Sequence, residues 1–204
     1  YHIATIDGFS MRLVAMFPQR SAVDAAVLLL QNPSVDYPAI RIAARNLLQS
    51  GHLSDVLVAS YAHLLVDEYQ DCNLVQHALV TELSMVIPTC VLGDPMQAIF
   101  GFRGNQLVDW NTDVLPHFPA IGELNQPWRW TNAGTPEFGQ WLLECRRILL
   151  AGGDIDLRQA PPEVVFVELQ PATAIQQRLT AALTPAVTPD GDVLVIGDSR
   201  NPRG

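Results

Sequence analysis

Two short apolar runs that each end abruptly in carboxylates limit the folds open to this chain. His63-Leu64-Leu65-Val66 leads straight into Asp67-Glu68, and Thr89-Cys90-Val91-Leu92 leads into Gly93-Asp94. Unbroken apolar runs of this length suit strands buried on both faces, as parallel strands are. Between them, Leu74 to Val86 has helical spacing and stops near Pro88. Strand, helix, strand is the unit from which parallel sheets are built. Ligands of open α/β sheets bind beyond the carboxyl ends of the strands, where these acids fall. A strand followed by an ordinary polar turn would leave the same bare Asp-Glu pair.

The rest of the chain continues the alternation. Thr5 to Phe17 has Ile6, Phe9, Leu13 and Phe17 at helical spacing and is closed by Pro18. Ala22–Leu30 and Ala39–Leu48 also read as helices, and Ile121–Leu124 as a third strand. A helix opens at Thr135-Pro136-Glu137, with proline at a favoured first position, and runs to about Leu150 before Gly152-Gly153. Val164–Leu169 then reads as a strand, Ala172–Leu183 as a helix and Val193–Ile196 as a strand. The expected class is α/β with parallel sheets, and the candidate lobe boundaries are Gln126-Pro127 and the Gly152-Gly153 break.

Composition narrows the chemistry. The 204 residues are 49% hydrophobic and 16% charged, which excludes a disordered chain and allows one core, or one domain with part of a second. No apolar run reaches the roughly 18 residues of a membrane span. The three cysteines, Cys72, Cys90 and Cys145, contain no CxxC spacing, so a disulfide framework or zinc module is not expected and a cytoplasmic setting is. Net charge is -9, and all 12 basic residues are arginine. Without lysine, the chain offers neither a Schiff base nor the lysine of a phosphate loop. Its acidity also argues against coating nucleic acid by charge alone, leaving a narrow groove of arginines and aromatics. The chain starts at Tyr1 and stops soon after an apolar run, from which a piece of a longer protein is expected.

Three segments carry chemistry. In Asp67-Glu68-Tyr69-Gln70-Asp71, one carboxylate at a sheet edge can hold Mg²⁺ and the next can orient or deprotonate water, while Gln70 can sense a phosphate. In the segment from Gly93-Asp94 to Gly104, Gln97 follows Asp94 by one short turn, and Phe100, Phe102 and Arg103 offer stacking faces with a phosphate partner. Both phenylalanines also suit a core. In Leu124-Asn125-Gln126-Pro127-Trp128-Arg129-Trp130, an arginine between tryptophans suits a phosphate beside a stacked base, or a cation–π cluster that pins a loop.

Together these segments resemble the UvrD/Rep/PcrA family of superfamily-1 DNA helicases. DEYQD is similar to its DExQD element, GDPMQAIFGFRG to GDxxQSIYxWRG, and LNQPWRW to LxxNYRS. Thr5-Ile6-Asp7-Gly8-Phe9 is similar to an upstream T-x-H-x-F segment. The resemblance covers most of residues 1–135. It implies RecA-like P-loop NTPase lobes: residues 1–125 as the C-terminal part of the first, ATP-binding lobe, and 126–204 as the start of the second. It also implies ATP and Mg²⁺ as cofactors. Asp67 would bind Mg²⁺, Glu68 would activate water, and Gln70 and Gln97 would couple the γ-phosphate to movement. Asp94 would lie with them at the nucleotide. Arg129 would reach the γ-phosphate and Trp128 would stack on adenine. Phe100, Phe102, Arg103, Thr5 and Phe9 would line the path of single-stranded DNA, or of a single-strand/duplex junction.

The departures are specific. Asp7 stands at the family's histidine, Ala98 at its serine, Asn105 at its alanine and Pro127-Trp128-Arg129-Trp130 at Asn-Tyr-Arg-Ser. The interval from Phe9 to Asp67 is short, which implies a reduced accessory insertion. The GxxxxGKS/T loop and the late arginine motif are not in these 204 residues. The implied activity is an ATP-dependent DNA helicase or translocase, of the kind used in DNA repair, with the 204 residues alone inactive. The alternatives are the motor subunit of a nuclease or defence system, and a non-catalytic helicase-like remnant that binds nucleic acid.

Overall fold

The computed structural model describes residues 2–101, 105–186 and 191–196. They divide into two compact units, Tyr1–Glu123 and Leu124–Gly204.

In the first unit, α1 (Ile6–Met16) is capped by Thr5, whose hydroxyl accepts from the Gly8 amide at 3.0 Å. A four-residue turn, α2 (Pro18–Ser21), follows. The helix expected over 22–30 does not form. Ala22 and Leu30 are left-handed, at φ 53° and 51°, and Asp24 caps a separate 3₁₀ turn, Ala25–Leu29, by accepting from the Ala26 amide. A short polar side chain that satisfies nearby backbone competes with helix propagation.

The next helix begins earlier than expected. α3 (Pro33–Gln49) starts at Pro33 and contains Pro38, although an interior proline removes one backbone hydrogen bond. Burial explains its persistence: Ile40, Ala43, Ala44, Leu47 and Leu48 form one buried stripe at helical spacing. A further helix, α4 (Ser54–Ser60), was not apparent from the sequence; Leu53 and Leu57 bury its inner side.

β1 (Leu64–Val66) and β2 (Thr89–Val91) pair in parallel, with Leu64 opposite Thr89, Leu65 opposite Cys90 and Val66 opposite Val91. The crossover is α5 (Leu74–Ser84), opened by a reciprocal capping box between Asn73 and Gln76. One core joins α1, α3, α4 and α5 through Leu13, Val14, Ile40, Leu47, Leu57, Leu79 and Leu83. A smaller one, Val66, Tyr69, Cys72, Val80 and Val114, lies at the carboxyl end of β1. After β2 come a 3₁₀ turn, Pro95–Gln97, a π-helical turn, Trp110–Val114, and α6 (Leu115–His117). Ile121–Leu124, expected as a strand, is irregular and exposed.

The second unit contains α7 (Trp128–Asn132), α8 (Pro136–Leu150), a 3₁₀ turn Leu157–Gln159, and α9 (Ala174–Ala182). α7 packs on α8 at Gly139, where a Cβ would lie 2.7 Å from the Trp130 Cβ and 2.8 Å from the Pro127 Cβ. Trp130 meets Phe138 edge-on at 4.9 Å. The strands expected over 164–169 and 193–196 do not form; Val165 and Ile196 are 83% and 85% exposed. An extended run becomes a strand only when a neighbour takes its backbone hydrogen bonds. The molecule is thus mixed α/β with one small parallel sheet, and the sheet expected for the second lobe is absent among the described residues. No described helix is long and apolar enough to cross a membrane.

Candidate functional site

Parallel pairing brings both acid-ended strands out at the same edge. Past the last paired residues, the Leu92 amide donates to the Val66 carbonyl at 2.8 Å, and the Tyr69 amide to the Leu92 carbonyl at 2.9 Å. These two bonds fix Asp67-Glu68 beside Gly93-Asp94. Between them Glu68 takes a left-handed conformation, φ 52° and ψ 40°. That conformation costs a non-glycine residue about 1 kcal/mol or more and is often found where function demands a fixed direction.

The side chains are tied together by Gln70, which is only 2% exposed. Its amide nitrogen donates to Glu68 Oε2 at 2.5 Å, and its carbonyl oxygen accepts from the Asp94 amide at 2.9 Å. One buried amide therefore spans both strand ends. Asp67 accepts from the Glu68 amide on Oδ1 at 2.9 Å, which sets its carboxylate while leaving it exposed. Asp94 caps the turn after β2, accepting from the Met96 amide on Oδ1 and from the Gln97 side chain on Oδ2 at 2.8 Å. Asp67, Glu68, Gln70, Asp94 and Gln97 thus form one connected edge, and Asp71 adds a 3.4 Å contact from the Ile99 amide.

Glycine at 93 is required by space. A Cβ there would lie 2.8 Å from Gln70 Oε1 and 2.9 Å from the Trp110 ring. Trp110 is a site residue that sequence reading missed: its π-helical turn is far along the chain and carries no motif. Tyr69, between the motif residues, is fully buried, and its hydroxyl meets His77 Nδ1 at 2.8 Å. Burial raises the Tyr69 pKa, and it pushes the buried Cys72 thiol up to about 12, with Asp71 adding to the shift. Cys72 is therefore an unreactive thiol at neutral pH.

The other expected residues lie elsewhere. Phe100 is 47% exposed on the loop after the Pro95–Gln97 turn. Phe102 and Arg103 lie outside the described residues. Asn105 braces this loop, donating to the Phe100 carbonyl at 2.9 Å and accepting from the Asn73 side chain at 3.3 Å. Thr5 spends its hydroxyl on capping α1, and Phe9 is half-buried, edge-on to Tyr61 at 6.3 Å. Asp7 forms a two-pronged pair with Arg41 of α3, at 2.5 and 2.7 Å. In the second unit, Trp128 is 64% exposed and Arg129 is exposed, both on α7 rather than in the loop expected there.

Residues 11–111 match the model of the UvrD/REP helicase N-terminal domain. This segment is UvrD-like. The chain is also similar to a probable DNA helicase II homolog of Mycoplasma capricolum, 35% identical over 92 residues, 44% of this chain and 12% of that protein. An ATP-dependent helicase/nuclease protein of Oenococcus oeni is 27% identical over 123 residues, 58% of this chain and 10% of that protein. The ATP-dependent DNA helicase UvrD1 of Mycobacterium tuberculosis is 48% identical over 52 residues, 22% of this chain and 7% of that protein. The chain therefore spans only a small part of the relatives it matches. No solved structure matches it significantly.

A UvrD-like segment raises the question of Mg²⁺ and nucleotide. Among the described residues no three His, Cys, Asp or Glu side chains gather into a metal site. A Mg²⁺ that binds with a nucleotide is usually held by one or two carboxylates together with substrate phosphates and water. Asp67, exposed and set by its neighbour's amide, has the right donor chemistry.

Proposed function

We propose that this chain is part of an ATP-dependent DNA helicase or translocase, with residues 1–125 contributing to a first RecA-like lobe and 126–204 beginning a second. The observation that carries the reading is the joined edge: two parallel strands deliver Asp67-Glu68 and Gly93-Asp94 side by side, tied by Gln70, within a segment matching the UvrD/REP helicase N-terminal domain. In this reading Asp67 holds the Mg²⁺ of Mg-ATP, which supplies charge neutralisation on the phosphates. Glu68 accepts a proton from the attacking water, from a direction set by its left-handed backbone and by Gln70. Gln97, braced by Asp94, is the group through which phosphate loss reaches the following loop. The resemblance assigns Phe100, Phe102, Arg103, Thr5 and Phe9 to contacts with single-stranded DNA, and Arg129 and Trp128 to the nucleotide.

Glu68→Gln in the full-length protein tests it. The amide keeps the shape and hydrogen-bonding reach but cannot take the proton. ATP turnover should fall by roughly 10²–10⁴-fold with nucleotide binding retained. Turnover above about a tenth of the wild-type rate would remove Glu68 from the role of base. A second reading, the motor of a helicase that also carries a nuclease, is favoured by the matches to several proteins whose names pair ATP-dependent helicase with nuclease. A nuclease domain elsewhere in the full-length protein would decide between them.

A further inference from the structure

Below the catalytic edge lies a buried polar contact that the hydrolysis reading leaves unused. Tyr69 sits between Glu68 and Gln70 and is fully buried. Its hydroxyl reaches only inward, to His77 Nδ1 on α5 at 2.8 Å. His77 is itself buried, edge-on to Phe118 at 6.2 Å and to His117 of α6 at 5.2 Å. With His77 neutral and protonated on Nε2, the Tyr69 hydroxyl donates to Nδ1.

Protonation changes that balance. Nδ1 then becomes a donor, and the hydroxyl hydrogen of the fully buried Tyr69 loses its acceptor. A buried polar group left unpaired is costly. A charge also appears among aromatic rings and next to His117. The titratable groups facing His77 are Tyr69 from the 3₁₀ turn Tyr69–Asp71, Asp113 from the π-helical turn and His117 from α6. Cys72 couples to Tyr69 from the turn's far end. Burial and His117 both disfavour the charged form, and Asp113 opposes them.

The contact also bears on the turn Tyr69–Asp71. Tyr69 is its first residue, and Glu68 immediately before it is held in a left-handed conformation. We propose that His77 is a proton-responsive positioning residue for Glu68: neutral, it anchors the turn that presents the Glu68 carboxylate, and protonated, it loosens that turn. The inference rests on the reading of Glu68 as the group that activates water, and its tests separate the two.

The first test uses the 204-residue chain and needs no turnover. Ring titration of His77 by NMR should give a midpoint below 6.5, and the Glu68, Tyr69 and Gln70 backbone amides should shift with that same midpoint. The amide response should vanish in His77→Gln and shrink in Tyr69→Phe, which strands no hydroxyl. In His117→Gln it should persist with its midpoint moved upward, because the neighbouring positive charge is gone. A Glu68 amide that stays flat through the His77 midpoint overturns the proposal. Should His77→Gln fail to fold, the wild-type and Tyr69→Phe titrations decide alone. The second test is the pH profile of ATP turnover in the full-length protein, where an acid limb should follow the His77 midpoint and flatten in His77→Gln. If Glu68→Gln abolishes turnover while His77→Gln keeps the limb, the positioning role is wrong and the hydrolysis reading stands. If the amides respond but Glu68→Gln is fully active, the reverse holds.

Discussion

At the scale of single residues, position 93 shows how little room the edge leaves. Glycine is needed there for its missing Cβ rather than for its backbone freedom, since a methyl group would press on both Gln70 Oε1 and the Trp110 ring. Gly93→Ala should lower stability by about 1–3 kcal/mol, the usual cost of overpacking, read as a shifted urea midpoint with unchanged slope. An unshifted midpoint would mean that the Trp110 ring yields easily. His77 gives a second residue-scale expectation. Its pKa is lowered in the fold, so the unfolded chain binds the proton more readily. Stability from this group is complete above its ordinary 6.5 and is lost as pH falls through that value toward the lowered one. Unfolding midpoints measured across this range should drop more for the wild type than for His77→Gln; equal drops would contradict the shift.

At the scale of elements, α5 connects the two strands and its start is shared with the site loop. Asn73 caps the helix through its side-chain oxygen, which accepts from the Val75 and Gln76 amides at 3.1 and 2.9 Å. Its amide donates to Asn105, which holds the loop carrying Phe100. Asn73→Ala should therefore cost about 1 kcal/mol of stability for the lost cap, measurable by denaturant titration. Asn73→Ser, which keeps a capping oxygen but not the amide, should recover most of it. Equal losses in both variants would show that the Asn105 link, not the cap, carries the effect. The same scale shows the limits of periodicity. Sequence alone starts α3 at Ala39, yet the buried stripe from Ile40 to Leu48 holds a helix that begins at Pro33. Ala22–Leu30 read as a helix, but Val23, Val27, Leu28 and Leu30 are only partly buried against the core and none of Ala25–Leu29 is fully buried.

At the scale of the whole molecule, the proposed nucleotide role of the edge meets a limit of composition. Arginine is the sole side chain of permanent positive charge in the sequence, and no GxxxxGKS/T loop is present to cradle phosphates. The 204-residue chain by itself should show no DNA-stimulated ATP turnover. Turnover that disappears with Glu68→Gln would overturn that expectation. Apolar Val165, Leu194 and Ile196 are exposed among the described residues, where a strand would need neighbours to pair with.

Reading the chain residue by residue was enough to specify the pair β1 and β2, the helix between them and the carboxylates at their ends. These are local signals: an apolar run, a cap and a stop lie within a few residues of what they specify. The places of Asp67, Glu68, Gln70, Asp94 and Gln97 just after the strands were legible for that reason. Folding had to bring Gln70 between Glu68 and the Asp94 amide across 24 residues, set Trp110 against Gly93, and hang Tyr69 on His77. It also paired Asp7 with Arg41 across 34 residues. Such contacts join segments whose spacing in the chain carries no period. The strands expected after residue 120 failed for the complementary reason: hydrophobic pattern marks a segment fit for a sheet, but a strand exists only where a second one meets it.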